Sequence, residues 1–134
     1  MNIIKKLEPY SHWFIRINLA GIFLYHGIGK FMAAEMMSKM MMMPVGMIYM
    51  AGVMEVSGAL LVLWGGFGRD WATRLSGLIF SMIMIGAITM FHWPQWSFVA
   101  NDIKPMGGME LQLLVAMVGI YFFTKGNKIV SAKA

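Results

Sequence analysis

Five side chains carry most of this chain's capacity for chemistry: His26, Lys30, Glu55, His92 and Glu110. His26 and Lys30 stand one helical turn apart, at the end of the apolar stretch Gly21-Ile22-Phe23-Leu24-Tyr25-His26-Gly27-Ile28-Gly29-Lys30. Ionisable groups are expensive in hydrocarbon-like surroundings and are kept where they face a cavity, a bundle interior or a partner. A lysine and a histidine together offer donors to a small anion or to the oxygen of a ring carbonyl. A neighbouring carboxylate keeps the lysine charged, or accepts and releases a proton. A division of labour follows: Lys30 and His26 bind the anion or carbonyl oxygen, Glu55 holds Lys30 charged and oriented, and His92 or Glu110 moves protons. Arg16, Trp93 and Trp96 are the candidates for holding a bound ring or cofactor in place.

These residues need elements to position them. Four apolar segments stand out, running roughly Trp13 to Phe31, Val45 to Trp64, Trp71 to Phe91 and Met106 to Phe123. Each has about 18–21 residues, enough to cross a hydrocarbon core of ~30 Å as a helix. Backbone polar groups find no water there, so helix is the expected state. The runs are too continuous for barrel strands, which alternate in polarity. Pro44-Val45-Gly46 opens the second segment and Gly65-Gly66-Phe67-Gly68 closes it; Pro94 ends the third; Pro105 with Gly107-Gly108 introduces the fourth. The expected fold is all-α: an integral membrane four-helix bundle, up-down-up-down. It forms a single transmembrane domain over residues 1–134, with helices roughly 13–31, 45–64, 71–91 and 106–123.

Composition agrees. Hydrophobic residues make up 59% and charged residues 13%, whereas a soluble domain carries about 25% charged residues. Mean hydropathy is +0.67. The net charge of +5 does not form one patch. The basic residues lie between apolar spans, so the expected partner is the lipid bilayer and not nucleic acid. Lys5, Lys6, Arg16, Arg69, Arg74, Lys125, Lys128 and Lys133 flank one side, and only Lys30, Lys39 and Lys104 the other. The positive-inside rule then puts both termini in the cytoplasm. Tyr10, Trp13, Trp64, Trp71 and Tyr121 suit the inner interface, and Tyr49, Trp93 and Trp96 the outer one. The start of the chain resembles a signal-peptide n-region. The following run holds Arg16 and Asn18 and has no small-residue cleavage site, so it reads as a retained first helix. The tail Asn127 to Ala134 reads as a frayed terminus. With no cysteine, a disulfide scaffold, a CxxC relay and Fe–S ligation by this chain are excluded.

Helical periodicity assigns inward faces. Arg16, Phe23, His26 and Lys30 share a stripe on the first helix. Ala51, Glu55, Gly58 and Ala59 share one on the second, a small-residue face where another helix can come close. Arg74, Gly77, Ser81, Ile85, Ile88 and His92 share one on the third, and Glu110, Leu114, Met117 and Tyr121 on the fourth. With alternating helix directions, His26, Lys30, Glu55, His92 and Glu110 converge on the outer half of the bundle. Glu55 facing Lys30 or His26 would offset the desolvation cost of both. The loop from Trp93 to Pro105 is long enough to roof the cluster, together with the first outer loop. Such a pocket suits a small anion or a quinone head group, and the bland alternative is a polar core that fixes helix register.

Other chemistries fit parts of the pattern. His26 and His92 could ligate a b-type haem between helices. Glu55, Glu110, His26 and His92 could form a mixed metal site, but the Glu-x-x-His repeat of di-iron bundles is absent, so no metal ligand is assigned. The run Met36-Met37-Ser38-Lys39-Met40-Met41-Met42-Met43 offers thioethers that suit copper. It reads equally as a short amphipathic helix of adaptable side chains.

Taken together, the motifs resemble a known family. Arg16 followed by Gly21 to Phe31 looks like the first-helix signature of the DoxX family. Ala51-Gly52-Val53-Met54-Glu55-Val56-Ser57-Gly58 matches its second-helix pattern. Gly65 with Arg69, then His92, then Pro105-Met106-Gly107-Gly108-Met109-Glu110-Leu111-Gln112 match later segments. The resemblance spans almost the whole chain and implies a multi-pass protein of the bacterial inner (cytoplasmic) membrane. Some relatives are subunits of a thiosulfate:quinone oxidoreductase tied to terminal oxidases; many have no assigned reaction. The family's polar positions fall on Arg16, His26, Lys30, Glu55, His92 and Glu110. The implied role is a membrane redox protein or subunit passing electrons from a small extracytoplasmic donor, such as thiosulfate, to quinone. Two alternatives stay open. One is a non-catalytic subunit of a respiratory complex, docked through a small-residue face such as Gly77 to Ser81 on other membrane subunits or on a second copy. The other is an extracytoplasmic copper or small-solute binder.

Overall fold

The computed structural model describes residues 2–129, and every regular element among them is helical. A short helix α1 (Asn2–Leu7) passes through a 3-10 turn at Glu8–Tyr10 into α2 (Ser11–Met32). Next come α3 (Ala34–Met41), α4 (Val45–Gly65) and α5 (Asp70–Ala87), which continues into a π-helical turn at Ile88–His92. A long loop leads to α6 (Glu110–Lys125) and a final 3-10 turn at Gly126–Ile129. α2 packs on α4, α4 on α5 and α5 on α6. Lys133 and the rest of 130–134 lie outside the described residues.

Small residues decide where the helices meet. Gly77 on α5 faces Gly119 on α6, and a methyl on Gly77 would sit 3.0 Å from the Phe122 Cβ. Ser81 closes the same seam, its hydroxyl donating to the carbonyls of Gly77 at 2.8 Å and Ala116 at 3.2 Å. The Gly77–Ser81 face is therefore buried inside the protein, which corrects the expectation that it is free to dock a partner. Between α2 and α5, Phe23 stacks on Phe80 with centroids 4.1 Å apart. Gly58 on α4 makes room for that ring, since a Cβ there would lie 2.7 Å from Phe80. Leu19, Ala20, Ala59, Val62, Val115 and Phe122 complete the core.

The outside is apolar too. Leu60, Met82, Ile85, Leu114 and Met117 are all exposed, a surface made for hydrocarbon rather than for water. α4 and the continuous segment Asp70–His92 are each long and apolar enough to cross a membrane.

One expected face is overturned and another holds in part. On α6 the buried residues are Val115, Ala116, Gly119 and Phe122, whereas Glu110, Leu114, Met117 and Tyr121 point outward. An apolar helix in an apolar solvent has no hydrophobic preference for either face, so the side with the smallest residues wins. On α5 the stripe holds at Gly77 and Ser81 but fails at Ile85, which is exposed. The π turn then inserts an extra residue per turn and rotates the phase. His92, at the end of this turn, is buried as the stripe requires, 5% exposed. α6 also starts at Glu110 rather than Met106, because Gly107 takes the left-handed φ of +74° that glycine allows.

Candidate functional site

The site begins where α2 and α4 touch. Gly27 and Lys30 lie one turn apart on α2, and Gly52 and Glu55 one turn apart on α4. The two pairs face each other reciprocally. A Cβ on Gly27 would stand 3.1 Å from the Glu55 Cβ, and one on Gly52 would stand 3.3 Å from the Lys30 Cβ. Each glycine thus clears space for the other helix's charged side chain. The Lys30 ammonium donates to both Glu55 carboxylate oxygens at 2.8 Å. The two side chains are 16% and 5% exposed. An ion pair this enclosed strongly resists loss of one partner, because the survivor keeps its desolvation cost without its counter-charge.

His92 approaches from the end of the π turn. Its Nδ1 lies 2.9 Å from the Gly107 carbonyl oxygen, which only accepts, so Nδ1 carries the proton. Its Nε2, 3.1 Å from the Gln112 Nε2, is then the lone pair that accepts from the glutamine amide. This geometry leaves the Gln112 Oε1 as the one buried side-chain polar atom without a hydrogen-bond partner among the described residues. With both nitrogens engaged, His92 offers no open lone pair to a haem iron. Among the described residues no three His, Asp or Glu side chains converge as a metal site.

Lys30, Glu55, His92, Gln112 and His26 all line one cavity of about 490 Å³, within the ~300–1,000 Å³ range of small-molecule sites. Its walls are mainly apolar, and nine lining residues are methionine. The methionine run contributes two of them. It folds as α3, turning Ala34, Met37, Ser38 and Met41 inward and Met36, Lys39 and Met40 outward. Met41 and Met43 reach the cavity.

The family profile for DoxX matches residues 12–93. The chain belongs to the DoxX family. The matched segment includes Arg16, His26, Lys30, Glu55 and His92 and stops short of Glu110 and Gln112. This DoxX chain is 33% identical over 129 residues to an uncharacterized protein of Haemophilus influenzae, covering 94% of this chain and 90% of that one. It is 27% identical over 117 residues to a Bacillus subtilis protein named "Putative oxidoreductase CatD", covering 85% and 78%. No solved structure matches it.

The remaining sequence-selected residues of this DoxX chain lie elsewhere. Glu110 is exposed at the start of α6, its Oε2 accepting from the Phe98 amide at 3.3 Å. Trp93 and Trp96 are 61% and 57% exposed and do not line the cavity. Their loop does not roof it either. It folds on itself around Gln95, whose amide donates to the Ser97 and Val99 carbonyls at 2.9 and 2.8 Å.

Arg16 lies at the opposite end of the helices and is fully buried. Its Nε donates to the His12 Nδ1 at 3.0 Å. Its Nη1 donates to the Val62 carbonyl at 2.7 Å and to the Thr73 hydroxyl at 3.1 Å. Its Nη2 donates to the Asn127 Oδ1 at 3.1 Å. The guanidinium also lies 5.0 Å from the Phe122 ring centroid. Asn127 locks this hub further, accepting from Thr73 at 2.6 Å and donating to the Gly65 carbonyl at 3.0 Å. Asn127 therefore does not fray as expected of the tail; Gly126, with φ +55°, turns the chain back to place it.

His12, Thr73, Asn127 and Gln112 escaped the sequence reading. His12 sits four residues before Arg16, a spacing that signals a shared helix face. The others meet their partners only through the fold.

Proposed function

We propose that this DoxX-family protein is a multi-pass membrane oxidoreductase, or the membrane subunit of one, that passes electrons from a small extracytoplasmic donor to a quinone. In this reading α2, α4, α5 and α6 cross the bacterial inner membrane as an up-down-up-down bundle with both termini in the cytoplasm. The observation that carries it is the Lys30–Glu55 pair set in the wall of the cavity, with His92 and Gln112 also on its lining. A polar floor in an apolar chamber is the ordinary construction of a small-molecule site, and the residues present fit a quinone head group. The name carried by the Bacillus relative supports the redox class.

Lys30 holds an oxygen of the bound ring, or an anionic donor such as thiosulfate, by its ammonium. Glu55 keeps that ammonium charged and aimed. When bound, the quinone accepts two electrons and two protons. His26, exposed and lining the cavity, exchanges the protons with the aqueous phase. The methionine walls adapt to the ring by soft contacts. The electrons come directly from the donor or through a partner membrane subunit. Membranes carrying Lys30→Ala or Glu55→Ala at normal protein levels should lose donor-dependent quinone reduction. Unchanged reduction in both would overturn the reading.

A second reading rests on the methionine run, of which Met41 and Met43 line the cavity: a soft cation such as Cu(I) could bind its thioethers. Elemental analysis of the purified protein, and of a variant with Met40 to Met43 replaced by leucine, decides it. Copper in the first and none in the second would favour the metal.

A further inference from the structure

α4 and α5 meet closely near the turn that joins them and part toward their far ends. Gly65 on α4 closes on Thr73, and Gly58 on Ile79 and Phe80. Gly65, Gly58, Met54 and Met47 follow one another along that face of α4, spaced seven, four and seven residues apart. Ile79, Met82, Gly86 and Met90 continue the facing side of α5, spaced three, four and four. Past Ile79 the seam opens: a Cβ on Gly86 would meet no heavy atom of a described residue within 4 Å. Met47, Met54, Met82, Gly86 and Met90 line the cavity that holds Lys30 and Glu55. Met47, Met82 and Met90 are at the same time exposed on the outside of the protein. A side chain that lines a cavity and lies open to the exterior marks a mouth. Both helices beside this mouth are long and apolar enough to cross a membrane, so in the membrane-spanning reading the mouth faces hydrocarbon.

The charge of the chamber narrows what can enter it. Among the described residues, Lys30 and Glu55 are the only lysine, arginine, aspartate or glutamate side chains on its lining. Together they carry no net charge. An anion moved from water into such a chamber finds no net counter-charge to offset its desolvation. A neutral molecule has no such cost to recover.

We infer that the gap between α4 and α5 is a side entrance from the membrane, and that the ligand is a neutral, lipid-soluble molecule with its polar head at Lys30 and its apolar chain in the methionine-lined gap. This rests on the quinone reading for the head group. It adds the route, which runs through the bilayer, and it makes the occupant of this chamber chain-bearing and uncharged, not an anionic donor. Methionine suits such a passage because its unbranched, freely rotating side chain adapts to what lies against it.

The experiment uses the full-length protein in lipid nanodiscs and two photoreactive probes. Each carries a diazirine midway along a decyl chain; one ends in a benzoquinone ring and the other in a primary alcohol. Cross-linked peptides are mapped by mass spectrometry. The readout is label displaced by the unlabelled parent compound, because chance contact with probe dissolved in the lipid is not displaced. Both probes should label Met47 to Met54 and Met82 to Met90. Gly86→Phe fills the gap and should cut that label about tenfold, the loss expected from overpacking a fitted space. Gly21→Phe, at an exposed glycine of α2 that is equally open and lies outside the cavity lining, should leave it unchanged. Displaceable label confined to the surroundings of His26 and Met106 would mean entry from the outer end; the side entrance is then overturned while the quinone reading stands. If the alcohol labels the gap and the quinone probe labels nothing, the entrance stands and the quinone reading falls. No displaceable label in either stretch, as a second copy seated in the gap would give, overturns the inference, and so does label that survives Gly86→Phe. Excess thiosulfate should not displace the alcohol probe; displacement would overturn the neutral ligand. Should Gly86→Phe fail to fold, the smaller Gly86→Leu and the wild-type map decide the matter.

Discussion

The two ends of the helices each bury one cation, and they treat it in opposite ways. Around Arg16 the acceptors are neutral: an imidazole nitrogen, a hydroxyl, an amide oxygen and a main-chain carbonyl. Four segments of the chain meet there, and Arg16 does not line the cavity beside Lys30. Around Lys30 a full counter-charge is present, yet a chamber opens beside the pair and an acceptor is left over at Gln112. Four of the five guanidinium N–H groups are spent on holding the fold together. A charged pair set in the wall of an open chamber is placed to meet something more. Of two costly cations in similar apolar helices, the one with the incomplete surroundings is the candidate for function.

The largest expected effect breaks the first end. Arg16→Ala strips the donor from His12, Thr73, Asn127 and the Val62 carbonyl at once, and should cost at least about 4 kcal/mol. It should show as loss of folded protein in detergent melting curves. Arg16→Lys should recover only part, since an ammonium cannot reproduce the planar fork. Next comes Lys30→Ala, which leaves Glu55 buried and unpaired, at about 3 kcal/mol. The double variant Lys30→Met with Glu55→Leu should regain most of that stability, because apolar residues carry no desolvation cost. Ligand binding and quinone reduction should stay lost in it. If activity returned with stability, the pair would be a structural element and the contrast between the two ends would collapse.

Asn127→Ala removes one acceptor and one donor from the Arg16 hub and should cost about 2 kcal/mol, with no change in ligand affinity of the folded fraction. The smallest effect is expected at Glu110. It is exposed and holds a single long hydrogen bond to Phe98, so Glu110→Ala should shift stability by no more than about 0.5 kcal/mol. It should also leave quinone reduction intact. A large loss of activity there would return Glu110 to the site and require proton delivery through the outer loop.

Parts of this were legible in the residues. The second-helix face was legible at Glu55, Gly58 and Ala59, which combine a charge with small neighbours and are buried, whereas Ala51, expected on the same stripe, is only half-buried. The Lys30–Glu55 partnership followed, since a buried lysine needs a carboxylate at its own depth. The face of α6 was not legible. Leu114 and Met117 are as apolar as Val115 and Ala116, and between lipid and protein that leaves hydrophobicity no preference to express. His92 was placed inward by its spacing from Ser81 and is buried, but the π turn that ends its helix was not legible.

The sequence by itself determined the helical state, the apolar exterior and the residues that must be paired, because these follow from local composition and from the cost of burying charge. The tertiary structure alone decided which residues pair, which helix face is inside and where the space is left. Arg16 and Asn127 are 111 positions apart, and His92 and Gln112 are separated by a loop. Hydrogen bonding is a property of distances in three dimensions, and which donors and acceptors meet is fixed only once every neighbour has been placed.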